Sequence, residues 1–246
     1  MSFTVIESDV RRLWAAVRFV DASSARAIDT PLVVSAPGTR WQRNRSGLYV
    51  LVQRDGAPVL AGYENAFDPL PATPPATIDA TVHDPAGRRL PRRFALPLPR
   101  SPLPAGPTGE RFQPFTVVLD PAPGAPVLAT WAVLRLSVTR GGAPAAQVAV
   151  RVRRAAGGAL LGRGCSDARG EALVAAAGIE QVTVGDGEIV VEREVDAEIE
   201  LSVDPAADPS EPLDPDELAL RPGVVRTTVA ITLASGRHAA LAIALP

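Results

Sequence analysis

A chain of 246 residues with 46% hydrophobic and 4% aromatic side chains can form one large β domain or two of about 120 residues, with a core mainly of Val, Leu, Ile and Ala. Its 20 glycines and 25 prolines argue against long helices, and its single cysteine excludes an intrachain disulfide and a cysteine cluster for zinc. The net charge is −2, and neither a signal peptide nor an apolar run of about 18 residues is found, so we expect a cytoplasmic protein without a membrane span.

The beginning of the chain predicts short strands joined by turns. Residues 13–20 can be a helix, but apolar side chains at every second position and a turn at Asp21 favour a strand in a hairpin with the apolar run 32–34. Another strand is predicted at 46–52, and Asp55-Gly56 is a hairpin signal.

Proline then limits where strands can lie. The stretch 67–75 is too rich in proline for a central strand and is interpreted as a crossing loop. Residues 77–83 predict a strand with Ile78, Ala80 and Val82 on one face. Residues 90–98 contain two prolines and are expected to form an edge strand at best, and 112–119 predicts a further strand.

A proline-rich stretch at 121–126 is interpreted as a semi-rigid linker between two domains. It separates an N-terminal domain, residues 1–120, from a C-terminal domain, residues 127–246. About seven short strands in each half are typical of a sandwich. The predicted fold class is therefore all-β, with two tandem antiparallel β-sandwiches of the Ig-like or transthyretin-like kind.

The stretch 139–179 has the clearest strand pattern. Apolar Val148, Val150 and Val152 alternate with other residues, which indicates a strand with one buried face. Gly157-Gly158 predicts a hairpin turn, and Asp167 to Gly170 predicts a second turn.

The C-terminal part predicts a long strand at 189–203, a proline-rich loop at 205–217, and a closing hairpin of 224–233 with 238–245. Residues 186–217 carry 13 acidic residues and one arginine. Five of the acids share one face of the predicted strand, namely Glu192, Glu194, Asp196, Glu198 and Glu200.

Like charges at this spacing repel one another and need solvent, cations or a basic partner. A solvated face is one interpretation. A calcium site in the acidic loop, from Asp204, Asp208, Asp214, Asp216 and Glu217, is another. A third is a docking surface whose complement on a neighbouring subunit is the arginine group Arg88, Arg89, Arg92, Arg93 and Arg100.

Catalytic chemistry is not indicated by the sequence. It contains no nucleophile elbow, phosphate-binding loop or zinc-protease motif. His83 and Asp79 share a strand face, but two ligands are too few for structural zinc, and Cys165 is expected to be a buried, inert thiol. We therefore expect no enzyme activity, no cofactor and no metal, and the acidic balance with few aromatic residues disfavours nucleic acid.

The stretch 134–176 resembles the carboxypeptidase regulatory-like domain, a transthyretin-like β-sandwich. The residues that carry the resemblance lie in two turns and two strands: Gly142, Pro144, Val148 and Val150, then Ser166, Asp167, Gly170 and Leu173. Ser46, Gly47 and Tyr49 resemble a similar turn in the first half, without its aspartate. The resemblance implies a scaffolding or adhesive role without an active site. More loosely, tandem β-sandwiches of this type are similar to accessory proteins of phage-tail-like contractile injection systems.

The expected function is a structural or adaptor protein that binds protein subunits of a larger assembly, including copies of itself, without binding nucleic acid or a membrane. The alternative is a carbohydrate- or peptide-binding module, whose exposed aromatic residues would be Trp41, Tyr63 and Phe67.

Overall fold

The computed structural model describes residues 14–54, 76–98, 113–177, 179, 181–184, 189–192, 194–218 and 220–246. Strands dominate this part of the chain, which confirms the all-β prediction. No helix within it is long and apolar enough to cross a membrane. The elements of the described residues are β1 (Ala15–Asp21), β2 (Val33–Ser35), β3 (Thr39–Arg43), β4 (Tyr49–Arg54), β5 (Ala76–His83), β6 (Arg92–Leu98), β7 (Phe115–Leu119), β8 (Ala132–Arg140), β9 (Ala143–Pro144), β10 (Ala149–Arg154), β11 (Leu160–Cys165), β12 (Glu171–Ala176), β13 (Gln181–Val184), β14 (Ile189–Glu192), β15 (Glu194–Val203), a short helix α1 (Pro215–Leu218), β16 (Val225–Ala234) and β17 (His238–Leu245).

The chain divides into two compact units, each built from several stretches of sequence. The first unit contains Met1–Phe19, Val34–Ala80 and Ala95–Val117, and the second contains Val20–Val33, Thr81–Phe94 and Val118–Pro246. The predicted linker falls within the second unit, where the N–H of Ala122 donates to the carbonyl of Arg88 at 2.9 Å. A boundary between independently folding domains at residues 121–126 stays a prediction.

Strand β1 shows the alternating burial that its sequence pattern predicts. Ala15, Val17 and Phe19 are buried, and the strand that the alternation favours is confirmed over Ala15–Asp21. The hairpin prediction is wrong, because β1 pairs with β4 in the sheet β3-β4-β1-β7, whereas β2 lies in the sheet β2-β5-β6. The rings of Phe19 and Tyr49 meet edge to face, with centroids 5.3 Å apart.

Two other early predictions are confirmed, and two lie outside the described residues. Ile78, Ala80 and Val82 are buried along β5, and β6 is at the end of its sheet among the residues that the structure describes. The Asp55-Gly56 turn and the 67–75 loop belong to the part that the structure does not describe. A sandwich in the first unit stays a prediction.

The second unit contains two larger sheets that share a hydrophobic core, besides the two-stranded sheet β13-β14. One sheet has the order β11-β10-β15-β16, and the other has the order β12-β8-β17, with β9 paired to β8. Both sheets contribute buried side chains to the core, including Leu134, Leu136, Val150, Val174, Ile199 and Leu201. Core side chains alternate with more exposed ones along β15, whereas β12 is buried on both faces, because Leu173 packs with Val133 and Ala125 in a separate cluster.

The closing hairpin that the sequence predicts does not form. Strand β16 pairs antiparallel with β15, and β17 pairs with β8 in the other sheet. A turn, closed by a 3.2 Å bond from Arg237 N–H to the carbonyl of Ala234, carries the chain between the two sheets. The β8–β17 pair is also parallel, with His238 opposite Val133, whereas antiparallel sheets were expected. Parallel neighbours cannot be joined by a tight turn, so local turn signals do not reveal such a pair.

The turns that define the second unit follow their residue chemistry. Strands β10 and β11 form the predicted hairpin, and Gly157 in its turn has a φ of 71°. Asp167 accepts hydrogen bonds from the N–H groups of Arg169 (2.8 Å) and Glu171 (3.0 Å), and Gly170 has a φ of 73°. This second turn leads the chain from one sheet to the other.

Glycines in β11 allow the two sheets to approach closely at one side. A Cβ at Gly162 would lie 2.9 Å from the carbonyl oxygen of Ala175, and one at Gly164 would overlap the carbonyl oxygen of Leu173. These neighbours are backbone atoms, which cannot rotate away. The β11–β12 side of the second unit therefore requires glycine.

We predict that Gly164→Ala lowers the free energy of unfolding by about 1 to 3 kcal/mol, because the added methyl group overpacks the space between β11 and β12. Urea unfolding followed by circular dichroism measures the change. Gly124→Ala is the matched control, because a Cβ there meets nothing within 4 Å and should change stability by less than about 0.5 kcal/mol. Equal stability of the two variants would contradict the prediction.

Candidate functional site

An acidic segment, residues 204–218, lies on the outer face of the sheet that contains β10 and β11; we call it the acidic strap. Its side chains Leu213 and Leu218 are buried together with Ala149 and Cys165. Backbone contacts hold it as well, because the N–H of Arg93 donates to the carbonyl of Leu213 at 3.0 Å. The proline-rich loop predicted from sequence is thus an ordered part of the second unit.

Gln147 fastens the first half of the strap. Its Nε2 donates to the carbonyl of Asp208 at 3.1 Å and also to the carbonyl of Glu211. Gln147 itself has a φ of 58°, in the left-handed region that non-glycine residues seldom adopt.

Arg92 fastens the second half of the strap from within the protein. It is 5% exposed, and its Nη2 donates to Asp214 at 3.0 Å and to Asp216 at 2.5 Å. Its Nη1 donates to the carbonyl of Val118 at 2.6 Å. Its Nε is buried and has no hydrogen-bond partner within the described residues. A buried guanidinium of this kind needs both carboxylates to offset the loss of hydration.

Arg163 extends this network to the middle of the unit. Its Nη1 donates to Asp216 at 3.1 Å, and its Nε donates to Asp120, which is 4% exposed, at 2.9 Å. Burial lowers the pKa of the Arg163 guanidinium, but Asp120 and Asp216 outweigh that effect and raise it. Burial raises the pKa of Asp216, and the opposing charges and hydrogen bonds of Arg92 and Arg163 produce a net decrease.

A cavity of about 300 Å³ lies between the strap and the sheet. One polar group in its lining is already bonded within the chain, because the Ser166 hydroxyl donates to the carbonyl of Ala145 at 2.7 Å and accepts the N–H of Val148 at 2.9 Å. Cys165 also lines the cavity, and burial followed by the charge of Asp120 raises the pKa of its thiol, which keeps it protonated. The lining therefore offers mainly apolar surface.

The calcium hypothesis for the acidic loop is not supported. Within the described residues, no group of three or more His, Cys, Asp or Glu side chains is arranged to hold a metal ion. The carboxylates instead have separate partners: Asp204 binds Arg221, Asp208 binds Ser210, and Glu217 binds Arg93 and Arg221.

The structure describes four arginines of the predicted docking surface, and all four belong to the second unit. Three of them bind carboxylates of the same chain. Arg89 bridges Asp21 (3.1 Å) and the buried Asp84 (3.2 Å), and Arg93 binds Glu217 at 3.2 Å. Burial leaves Arg92 little surface to offer a partner, whereas Arg88 is exposed. Arg100 lies outside the described residues, and partner binding by this group stays a prediction.

The predicted acidic face is divided between two strands. Glu192 ends β14 and lies opposite Gln181 of β13. The other four acids, Glu194, Asp196, Glu198 and Glu200, alternate along β15 with side chains buried in the core.

Arginines on neighbouring elements offset the charge of β15. Arg153 binds Glu200 at 3.3 Å, Arg237 approaches Glu194 at 3.5 Å, and Arg151 lies opposite Glu200 in the register. Arg151 and Arg153 alternate along β10, and this pattern in the sequence indicates that β10 can pair with the acidic strand β15. The pattern of the acids alone does not reveal that pairing. A docking role for the acidic face stays a prediction.

The binding-module alternative stays a prediction, because the structure describes only one of its three aromatic residues. The indole N–H of Trp41 donates to the Thr39 hydroxyl on the same strand at 2.9 Å, and Tyr63 and Phe67 lie outside the described residues. Asp79 and His83 are both exposed on β5, as the alternation predicts.

The side of the second unit formed by β16 and β17, which we call the open side, was not anticipated from sequence. Each strand is the last in its sheet within the described residues. Between them lie apolar side chains that pack against the core and remain partly exposed: Val225, Val229, Ile231, Ala239 and Leu241. These core side chains therefore keep part of their surface accessible.

We predict that Arg92→Ala lowers the free energy of unfolding by about 3 kcal/mol, because it leaves the carboxylate of Asp214 buried without its counter-charge. Chemical unfolding measures the loss. Arg88→Ala removes an exposed arginine of the same group and should cost less than about 0.5 kcal/mol. If the two substitutions had equal effects, the Arg92 network would not hold the strap.

A second prediction concerns the pH dependence of the strap. Because the pKa of Asp216 is lowered in the folded state, its ionised form stabilises the fold above its unfolded pKa of about 3.9, and this contribution is lost as the pH falls through the folded value. Asp216→Asn should therefore be less stable than the parent at neutral pH, with the difference shrinking below about pH 4. Thermal unfolding across this pH range measures it. Asp79→Asn, at an exposed position on β5, is the control, and a difference for Asp216→Asn that persists in acid would rule out the linkage.

Comparison with known proteins adds no family assignment. A scan against protein-family models gives no match to this chain, and a search of curated proteins finds no significantly similar sequence.

Proposed function

We propose that this chain is a non-catalytic structural or adaptor protein that assembles with other protein subunits. The observation that carries the proposal is the open side, where two strand edges and a partly exposed apolar seam lie together. Strand edges present backbone N–H and C=O groups that pair readily with another strand, and soluble proteins usually protect them. An edge of this kind next to exposed core side chains is suited to binding protein.

The contacts around the cavity support a role without catalysis. The side chains of Arg92, Arg163 and Gln147 hold the acidic strap, and the thiol of Cys165 is kept protonated. A catalytic base or nucleophile needs a poised pKa and access to a substrate, and these groups serve packing instead.

The resemblance to carboxypeptidase regulatory-like domains supports the same structural role. The looser resemblance to accessory proteins of phage-tail-like contractile injection systems suggests that the larger assembly is a particle of that kind. In that hypothesis the chain is a subunit that contributes binding surfaces. The neighbouring genes test it, since a structural accessory protein is expected beside the genes of the machine that it serves.

We predict that the assembled form survives high salt. Backbone pairing and apolar contact are little screened by ions, whereas docking between the β15 acids and a basic patch would weaken steeply. Size-exclusion chromatography with light scattering at low and high ionic strength measures the mass of the purified protein and of complexes isolated from its native cells.

The control for this measurement is Glu194→Gln, which removes exposed charge from β15 and should leave the assembled mass unchanged. If salt dissociated the assembled form, the result would indicate the acidic face of β15 as the interface in place of the open side. A strict monomer that ignores salt and retains no partner would count against an assembly role.

A further inference from the structure

Strand β16 is an edge strand among the described residues. It pairs with β15 along its ten residues in an unbroken register, and within the described residues it has no strand on its other side. Half of the backbone groups of an edge strand point away from its sheet. The protections that an edge strand can carry in its own residues are few in β16, because its sequence contains no proline or lysine, no bulge interrupts its pairing with β15, and its one charged residue is Arg226.

Strand β17 places a second edge on the same side of the unit. It follows β16 after a tight turn and ends the opposite sheet. Between the two edges, Val229 and Ile231 of β16 and Leu241 of β17 face the core and remain partly exposed. An extended peptide would pair with one edge and leave the other uncovered. A body that itself presents two edges and an apolar seam covers all three features at once.

We infer that the occupant of the open side is a second copy of this chain, related by a twofold axis that pairs β16 with β16 in antiparallel fashion. An isologous contact brings the same patch of both copies together, so each β16, each β17 and each apolar seam meets its own equivalent. This inference rests on the proposed assembly function and names its partner.

The charges of the sheet are compatible with self-pairing. With the axis at Val229, Arg226 of one copy lies opposite Thr232 of the second copy. The next strand beyond Thr232 is β15, which places the exposed Asp196 beside it, and the Thr232 hydroxyl donates to that carboxylate at 3.2 Å. The arginine of each copy therefore approaches an acidic position of the other, and like charges are kept apart.

The experiment measures the oligomeric state of the full chain by sedimentation velocity. The parent is expected to be a dimer, and Val229→Lys, which places a charge in the seam, should weaken the dimer at least about tenfold. Leu160→Lys is the matched control, because Leu160 is 47% exposed at the opposite end of the same sheet and should leave the dimer intact. Circular dichroism establishes that each variant is folded.

A cross-linking series keeps the inference testable if Val229→Lys fails to fold. Thr228→Cys and Ala230→Cys are made as separate variants and mixed, with Ala159→Cys as an exposed control on the far side of the unit. With the axis at Val229, position 228 of one copy lies opposite position 230 of the other and within disulfide distance, so the mixture should form a covalent dimer on oxidation, and the control should not.

Failures of the inference and of the proposed function are distinguishable. A dimer that Val229→Lys leaves unchanged, without cross-links above the control, overturns the assignment of this surface. A monomer whose complex with a different protein is lost in Val229→Lys overturns the second copy as occupant and leaves the assembly function standing. A monomer with neither partner overturns both.

Discussion

The second unit depends on one buried charge. Arg92 begins a strand whose inward positions are otherwise apolar, and its guanidinium binds two carboxylates of a segment more than a hundred residues away in sequence. Removing a guanidinium from water is costly, so the contact is favourable only while the acidic strap is in place. The strap in turn covers Ala149 and Cys165, which would otherwise face solvent. Electrostatic and hydrophobic contributions therefore require each other here.

The outer face of β15 and the open side at β16 and β17 differ in how far other residues of the chain pack against them. On the outer face of β15, acids alternate with arginines of neighbouring strands, and beside them the strap closes over the sheet. At β16 and β17, apolar side chains that pack against the core remain partly exposed. This contrast is the reason for assigning assembly to the strand edges and not to the acidic face, although charge segregation is the more conspicuous feature of the sequence.

The sequence predicts the features that local chemistry determines. Alternating side chains identify β1, β5 and β10 correctly. Gly157 marks the turn between β10 and β11, and Asp167 marks the turn between β11 and β12. It does not predict which strands become neighbours when their partners are distant, as for β1 with β4 or β8 with β17. The closeness of four arginines in the sequence favours an exposed basic group that includes Arg92. Its place in the alternation with Phe94, Leu96 and Leu98 is the signal that it points inward.

The parallel pairing of β8 with β17 also has a consequence for how the unit folds. Val133 and His238 are separated by roughly a hundred residues, and pairing at such a separation must first overcome the entropy of closing a long loop. Until then β8 has only β12 and the two residues of β9 beside it. We expect slow folding, in which the sheet β11-β10-β15-β16 can form around its local hairpin first and the other sheet is completed last.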